Sequence, residues 1–431
     1  ERGAVDIVVC SRFADYERLP TRLKLLGAVR IQSLSRKVVN DYLASGGERL
    51  ALLRTLLAKD SRLRELALNP LMLSIILLAY QEQGSESLAR KNSSSQLTHI
   101  FTTYVQQMFR HRPLMGGYSQ KQAEHWLTCL ASQMFDQSQT IFRSERLQPN
   151  WFSLPILKDY KLLVRLIYGF IFGTFGAICG YVLQAPEVLL FEINPALFVL
   201  VAAVSGFLLG GMFGFVESKS DIEVIEVLKW SWRKILEKSI WQRSSDILGK
   251  GLFFGVFMGL VGSATGFAVS GSEGVFLGLL GFELGTVSGL VFWAAYDFIS
   301  TGLDISEIED RVRVNQGIRR SAKIAVQFGL IFGFVLGLAL GVTLSAVMGI
   351  SLGLAFGIAA GLLGGLIISL LYGGATVIKH YSLRIVLARH DYLPMKLFSF
   401  LDDMVSRGML RRVGGGYIFI HRTLLEYFAR I

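Results

Sequence analysis

The fold of this chain is decided by residues 324–378, which read IAVQFGLIFGFVLGLALGVTLSAVMGISLGLAFGIAAGLLGGLIISLLYGGATVI and contain no Asp, Glu, Lys or Arg. At a rise of 1.5 Å per residue, one helix of this length would be roughly 80 Å long, whereas the hydrocarbon core of a bilayer is about 30 Å thick. The stretch therefore predicts two membrane-spanning helices joined by a tight turn near residues 345–349.

Four more apolar runs precede this stretch. Each approaches the length of about 20 residues that a helix needs to cross the hydrocarbon core. The sequence therefore predicts six glycine-rich transmembrane helices in three hairpins, separated by charged amphipathic segments. The four earlier spans are Leu166–Leu183, Pro195–Val216, Gly251–Ser270 and Gly274–Tyr296, of which only the last carries a charge, at Glu283.

The composition agrees with a chain that lies partly in water and partly in a lipid bilayer. Hydrophobic residues make up 52% and charged residues 18% of the protein, with a mean hydropathy of +0.46, far more apolar than an ordinary soluble protein. The formal charge of +11 comes from basic residues that gather beside the apolar runs, so topology explains it better than nucleic-acid binding. Three scattered cysteines, Cys10, Cys129 and Cys179, indicate neither a disulfide framework nor a metal site.

Loop charges predict the orientation of the bundle. The connection 184–194 has acids but no Lys or Arg, 271–273 has one acid, and the turn near 345–349 is uncharged. The alternate connections and the segment after the last span are basic, which by the positive-inside rule predicts that they and both ends of the chain are cytoplasmic. Their basic residues include Lys219, Lys229, Arg233, Arg319, Arg320, Lys323, Lys379, Arg384 and Arg389.

Two features inside the spans leave alternatives open. Glycines recur every fourth residue at 329–341 and 349–365, a spacing that favours close helix packing but also fits a glycine-lined pore or an oligomer interface. Glu283 is an ionisable residue deep in a predicted span, where a charge is costly. It could belong to an ion path, be protonated, or lie near the span boundary.

The flanking regions read as soluble and helical. Short helices with polar breaks are predicted over residues 36–81, followed by helices at 98–111 and 119–137. Near the end, an amphipathic helix over 395–407, two alternating strands around Gly414–Gly416 and a final helix resemble a winged helix. Because the chain opens with Glu1 at what reads as an interior strand, we interpret it as a fragment.

Three stretches carry a family resemblance. VVCSRFADYERLPTRLKLLGAVRIQSLS (8–35), LRELALNPLMLSIILLAYQ (63–81) and GGGYIFIHRTLLEYFAR (414–430) together resemble the NACHT family of signalling ATPases, specifically bacterial members with membrane helices. The resemblance implies residues 1–110 as the end of the ATPase domain, 111–155 and 391–431 as two parts of a winged-helix-like segment, and 156–390 as a transmembrane insertion. It also implies a location in the bacterial inner membrane.

The resemblance implies three nucleotide-contacting residues. Arg12 matches the sensor arginine that reads the terminal phosphate, although it could be a surface arginine after a strand. Pro70 matches the proline that packs on adenine, and it also starts a helix. His421 matches the winged-helix histidine that reaches the diphosphate, although it could be a half-exposed strand residue.

The departure from the family is large, since the chain contains neither a GxxxxGK[ST] phosphate loop nor an acidic magnesium-binding strand. ATP or ADP with magnesium is therefore expected only in an intact parent protein, and no cofactor or ATPase activity is expected of this chain alone.

Three functions follow from the sequence. The first is a membrane-embedded nucleotide switch in bacterial signalling or defence, the second a channel or transporter with regulatory cytoplasmic ends, and the third a membrane anchor. The lipid bilayer is the expected partner, with a homo-oligomer through the glycine faces as an additional possibility.

Overall fold

The computed structural model describes most of the chain, and its residues form two compact units, 1–113 and 114–431. The described residues are Tyr16, 27–30, 32–83, 93–110, 117–183, 194–223, 227–230, 244–253, scattered positions from 255 to 301, 303–306 and 315–431.

The first unit is a set of helices, as the sequence predicts. The side chain of Ser35 accepts a hydrogen bond from the N–H of Val38 at 3.2 Å and so caps the first helix. Gly47 separates the first two helices and has a φ of +61°, a conformation that costs glycine little. The helices are α1 Arg36–Ser45, α2 Glu48–Lys59, α3 Ser61–Ala67, α4 Pro70–Gln83 and α5 Ser93–Arg110.

The second unit contains two long helical hairpins. The predicted tight turn is confirmed at Gly349, which has a φ of +90° and separates two antiparallel helices. The second of these continues across a kink at Leu370–Gly374, where the backbone of Tyr372 and Gly373 is not helical, into a further helix. The helices are α7 Leu154–Leu183, α8 Pro195–Glu217, α9 Gln316–Met348, α10 Ile350–Ser369 and α11 Ala375–Arg389.

Within the described residues, four helices are long and apolar enough to cross a membrane. They are compatible with an integral membrane protein, because much of their apolar surface faces outward: Leu330 is 70% exposed and Phe334 71%. They account for four of the six predicted spans. The other two, Gly251–Ser270 and Gly274–Tyr296, fall mainly outside the described residues, where only scattered positions are described as helical.

Glycines allow the helices of each hairpin to approach closely. A Cβ atom added to Gly361 on α10 would lie 2.5 Å from the carbonyl oxygen of Gly333 on α9, and one added to Gly333 would lie 2.7 Å from the oxygen of Gly361. Gly206 and Gly210 of α8 face backbone carbonyls of α7 in the same way. The glycine faces in the described hairpins therefore serve helix packing, the first of the readings left open by the sequence.

Residues 117–152 and 391–431 pack together as one small α+β unit, which we call the split subdomain. Phe142 and Tyr417 exchange two backbone hydrogen bonds, of 2.7 and 2.9 Å, and Tyr118, Trp126 and Phe400 form edge-to-face pairs with centroids 5.3–5.5 Å apart. The hairpins are therefore inserted between two halves of one packed unit. Its elements are α6 Gln120–Asp136, α12 Leu397–Ser406, β3 Leu410–Val413, β4 Gly416–Phe419 and α13 Arg422–Arg430, with β3 and β4 antiparallel.

A second two-stranded sheet was not predicted. Strand β1, Val227–Trp230, pairs antiparallel with β2, Leu303–Ser306, with Val227 opposite Ser306 and Trp230 opposite Leu303. From the sequence, β1 lies in one of the charged amphipathic segments predicted between the spans. The partner strand lies more than seventy residues away, so no local pattern indicates the pairing.

Candidate functional site: a polar junction between the hairpins and the split subdomain

The ends of the hairpins that adjoin the split subdomain are tied together by a group of polar contacts, which we call the junction. Its members are Glu145, Gln148, Glu217, Ser220–Glu223, Gly317, Thr376 and Lys379.

Gln148 holds the chain that leaves α8. Its side-chain amide donates to the carbonyl oxygen of Ile222 at 3.0 Å and accepts from the N–H of the same residue at 2.8 Å. An amide side chain that pairs with both backbone groups of one residue fixes the position and the direction of that segment. Gln148 lies just before a 3₁₀ turn, Pro149–Trp151, that leads into α7, so the two ends of the first hairpin are linked through it.

Glu145 holds the beginning of α9. The N–H of Gly317 donates to the Glu145 carboxylate at 2.8 Å, and Glu145 is buried. The residue before this helix, Asn315, provides no side-chain cap, so the first-turn N–H group would otherwise lack an intrahelical partner. A carboxylate at the positive end of a helix dipole is stabilising. The split subdomain therefore supplies the cap of one of the long apolar helices.

Lys379 connects α11 with the end of α8. Its ammonium group lies 3.3 Å from the Glu217 carboxylate and donates to the Ser220 hydroxyl at 2.8 Å and to the Asp221 carbonyl at 2.9 Å. Two of the three donors of the ammonium group therefore have acceptors, and the carboxylate lies beside its charge. Thr376, one turn earlier, donates to the carbonyl oxygen of Glu223. The buried side chain of Lys379 therefore joins the two hairpins at one end.

The kink at Leu370–Gly374 fixes the direction in which α10 enters α11. Gly373 has a φ of +118°, and a Cβ atom there would lie 2.6 Å from the carbonyl oxygen of Ser321 on α9. Both facts require glycine at this position. The kink therefore lies between the long apolar helix α10 and the junction residues of α11.

The far end of α11 leads directly into the split subdomain. Just after it, Asp391 accepts from the indole N–H of Trp126 at 2.9 Å, and Tyr392 forms an edge-to-face pair with Phe152, so the two halves of the split subdomain meet here. His390, which caps α11, lies 2.8 Å from Asp159 at the start of α7. The ends of α7 and α11 are therefore held next to each other where both join the split subdomain.

His421 caps the last helix. The N–H of Thr423 donates to its Nδ1 at 3.3 Å, and the Thr423 hydroxyl lies 2.7 Å from the same atom. Because Nδ1 accepts, the neutral ring carries its proton on Nε2, which remains available to donate to an anion. Burial is the main cause that lowers the pKa of His421, and Glu426 opposes it, so the ring is neutral at neutral pH.

The other sequence-predicted residues have different outcomes. Pro70 begins α4, where the preceding Asn69 accepts from the N–H of Leu71 at 2.9 Å, and its ring is exposed. Pro70 and His421 belong to different units. Arg12 and Glu283 lie outside the described residues.

The junction could not be predicted from the sequence. Lys379 contributes to the sequence prediction only as a basic residue beside a span, and Glu145 and Gln148 are not among the residues predicted to be functional. The available signal was the position of Lys379, the first charged residue after the long apolar stretch. Its partners are 158–162 residues away, so they could not be identified from spacing.

The described residues contain no group of three or more His, Cys, Asp or Glu side chains suited to a metal ion. No protein-family model, curated protein or solved structure matches the chain.

Proposed function

We propose that this chain is the membrane-coupled part of a NACHT-type, nucleotide-dependent switch in bacterial signalling or defence. In this scheme the split subdomain is the winged-helix-like element, and the hairpins are an insertion that responds to its movement. ATP or ADP with magnesium would be bound by the intact parent protein. The chain would lie in the inner membrane with both ends in the cytoplasm.

The junction is the observation that carries this proposal. Glu145 and Gln148 hold α9 and the chain after α8, while α11 leads directly into the second half of the split subdomain. An element that contacts a packed bundle at several points can bias that bundle when it moves as a body. A simple anchor would need one flexible connection.

The neutral His421 ring supports the nucleotide part of the scheme. Its Nδ1 is used by the helix cap, and its Nε2–H is a hydrogen-bond donor suited to a phosphate oxygen. In the proposed resting state, that bond to a bound diphosphate would hold the split subdomain in place. Release of the bond would let the subdomain move the hairpins.

Two variants of His421 separate this role from the structural one. His421→Asn keeps a good helix cap but removes the imidazole donor, whereas His421→Ala removes both. Both should lose bound ADP during gel filtration of the protein that carries this chain together with a phosphate-binding loop. Retention of ADP by His421→Asn at the wild-type level would overturn the proposal.

Substitution of Gln148 tests whether the bound nucleotide is coupled to the position of the split subdomain relative to the hairpins. Spin labels at the exposed positions Lys219 and Ser406 report the distance between the end of α8 and the split subdomain. We expect exchange of ADP for ATP to change this distance in the wild type and not in Gln148→Leu, with Gln137→Leu, an exposed glutamine outside the junction, as the control. A distance that never depends on the nucleotide would indicate an anchor.

A further inference from the structure

An apolar groove runs along one side of the α9–α10 hairpin and has a volume of about 600 Å³. Gly333 and Gly337 of α9 and Gly357 and Gly361 of α10 form part of it, and larger apolar side chains of the two helices line the rest, together with Phe175 of α7. The groove lies within the helices that are apolar enough to span a membrane. Any occupant must therefore present hydrocarbon to it.

The dimensions of the groove suit a hydrocarbon chain. Its lining residues on α9 extend from Val326 to Leu338, which corresponds to about 18 Å along the helix axis. A hydrocarbon chain is only about 4–5 Å wide, judged from carbon–carbon contact distances, so it can lie lengthwise in a groove of this length.

Two basic residues extend the same face of α9 beyond the groove. Lys323 and Arg319 precede Val326 by three and seven residues, and α9 is one continuous α-helix over this range. At 3.6 residues per turn, both therefore lie on the groove side of the helix. Both side chains are exposed. A hydrocarbon channel that ends at two cations is complementary to a lipid with an anionic headgroup.

We propose that this groove binds an acyl chain of an anionic phospholipid whose phosphate is held by Arg319 and Lys323. The hydrocarbon tail fills the space above the glycines, and the headgroup lies at the junction end of α9. Selection against zwitterionic lipids comes from the two cations, because the positive headgroup charge of such a lipid offsets the attraction of its phosphate. The inference does not depend on the nucleotide switch.

The test is native mass spectrometry of the full chain titrated with palmitoyl-oleoyl phosphatidylglycerol or phosphatidylcholine. Each basic residue should raise the affinity for an anionic lipid about fivefold. We therefore expect the wild type to bind phosphatidylglycerol about 25-fold more tightly than phosphatidylcholine. The double variant Arg319→Gln/Lys323→Gln should lose this preference. Lys158→Gln, which removes an exposed basic residue of α7, should keep it. Equal retention of the two lipids by the wild type would overturn the proposal.

A second pair of variants tests the groove itself. Leu330 lines the groove and is 70% exposed, whereas the neighbouring Ile331 is 62% exposed and does not line it. Leu330→Trp should reduce retention of both lipids at least fivefold, while Ile331→Trp should have no effect, and circular dichroism checks that both variants remain folded. If Leu330→Trp instead abolishes a dimer mass and leaves lipid retention unchanged, the groove is an interface between two copies and the proposal fails.

Discussion

Glycine-to-alanine substitutions at two positions of the α9–α10 hairpin test whether the close approach of the two helices depends on glycine. A Cβ atom at Gly361 would lie 2.5 Å from the oxygen of Gly333 and 2.9 Å from the Cα of Gly337, whereas one at Gly341 would have its nearest neighbour at 3.7 Å. Ordinary contacts begin near 3.4 Å. The helices must therefore separate by about 0.9 Å in Gly361→Ala and need not move in Gly341→Ala.

The expected magnitudes differ accordingly. Overpacking of this kind costs about 1–3 kcal/mol, and the atoms that block Gly361 belong to the backbone and cannot rotate away. The helix-propensity gain of alanine over glycine, about 1 kcal/mol, applies to both variants and cancels in the comparison. Gly361→Ala should therefore be less stable than Gly341→Ala by about 1–3 kcal/mol.

The measurement is the free energy of unfolding of the full chain in dodecylmaltoside micelles on titration with sodium dodecyl sulfate, followed by circular dichroism. Gly365→Ala, where the closest atom is the oxygen of Gly329 at 2.6 Å, should behave like Gly361→Ala. The reasoning is refuted if the three variants have equal stability, because the close approach of the two helices would then not limit packing.

Three further predictions concern the junction and the final helix. Lys379→Met leaves the Glu217 carboxylate without its cation and should lower the free energy of unfolding by about 3 kcal/mol, and the double variant Lys379→Met/Glu217→Gln should recover at least half of this loss. Glu145→Gln should cost about 1 kcal/mol in the same assay, since a neutral amide is a weaker cap for α9, and no change would mean that Gly317 does not need this acceptor. Because burial lowers the pKa of His421 below its ordinary value of 6.5, the unfolded chain binds this proton more readily. The contribution of His421 to the free energy of unfolding is therefore complete above pH 6.5 and decreases below it. His421→Asn should weaken this pH dependence when unfolding is measured at a series of pH values.

The long apolar helices could be predicted because their cause is local. Residues 324–378 are apolar over a length that only two crossings accommodate, and the turn at Gly349 occurs where the sequence predicts it. Helix starts were predictable for the same reason, since Ser35 and Ser119 each cap the helix that follows within three residues. The glycine spacing indicated close packing but could not identify the opposite helix.

The tertiary structure alone decided which polar groups meet. Lys379 and Glu217, or Gln148 and Ile222, are separated by long stretches of chain, and nothing in the pattern around any of them indicates its partner. The pairing of β1 with β2 is of the same kind. Length, apolarity and capping act over a few residues and determine each helix by sequence alone, whereas the junction depends on how the completed hairpins place their ends, a property of the folded chain as a whole.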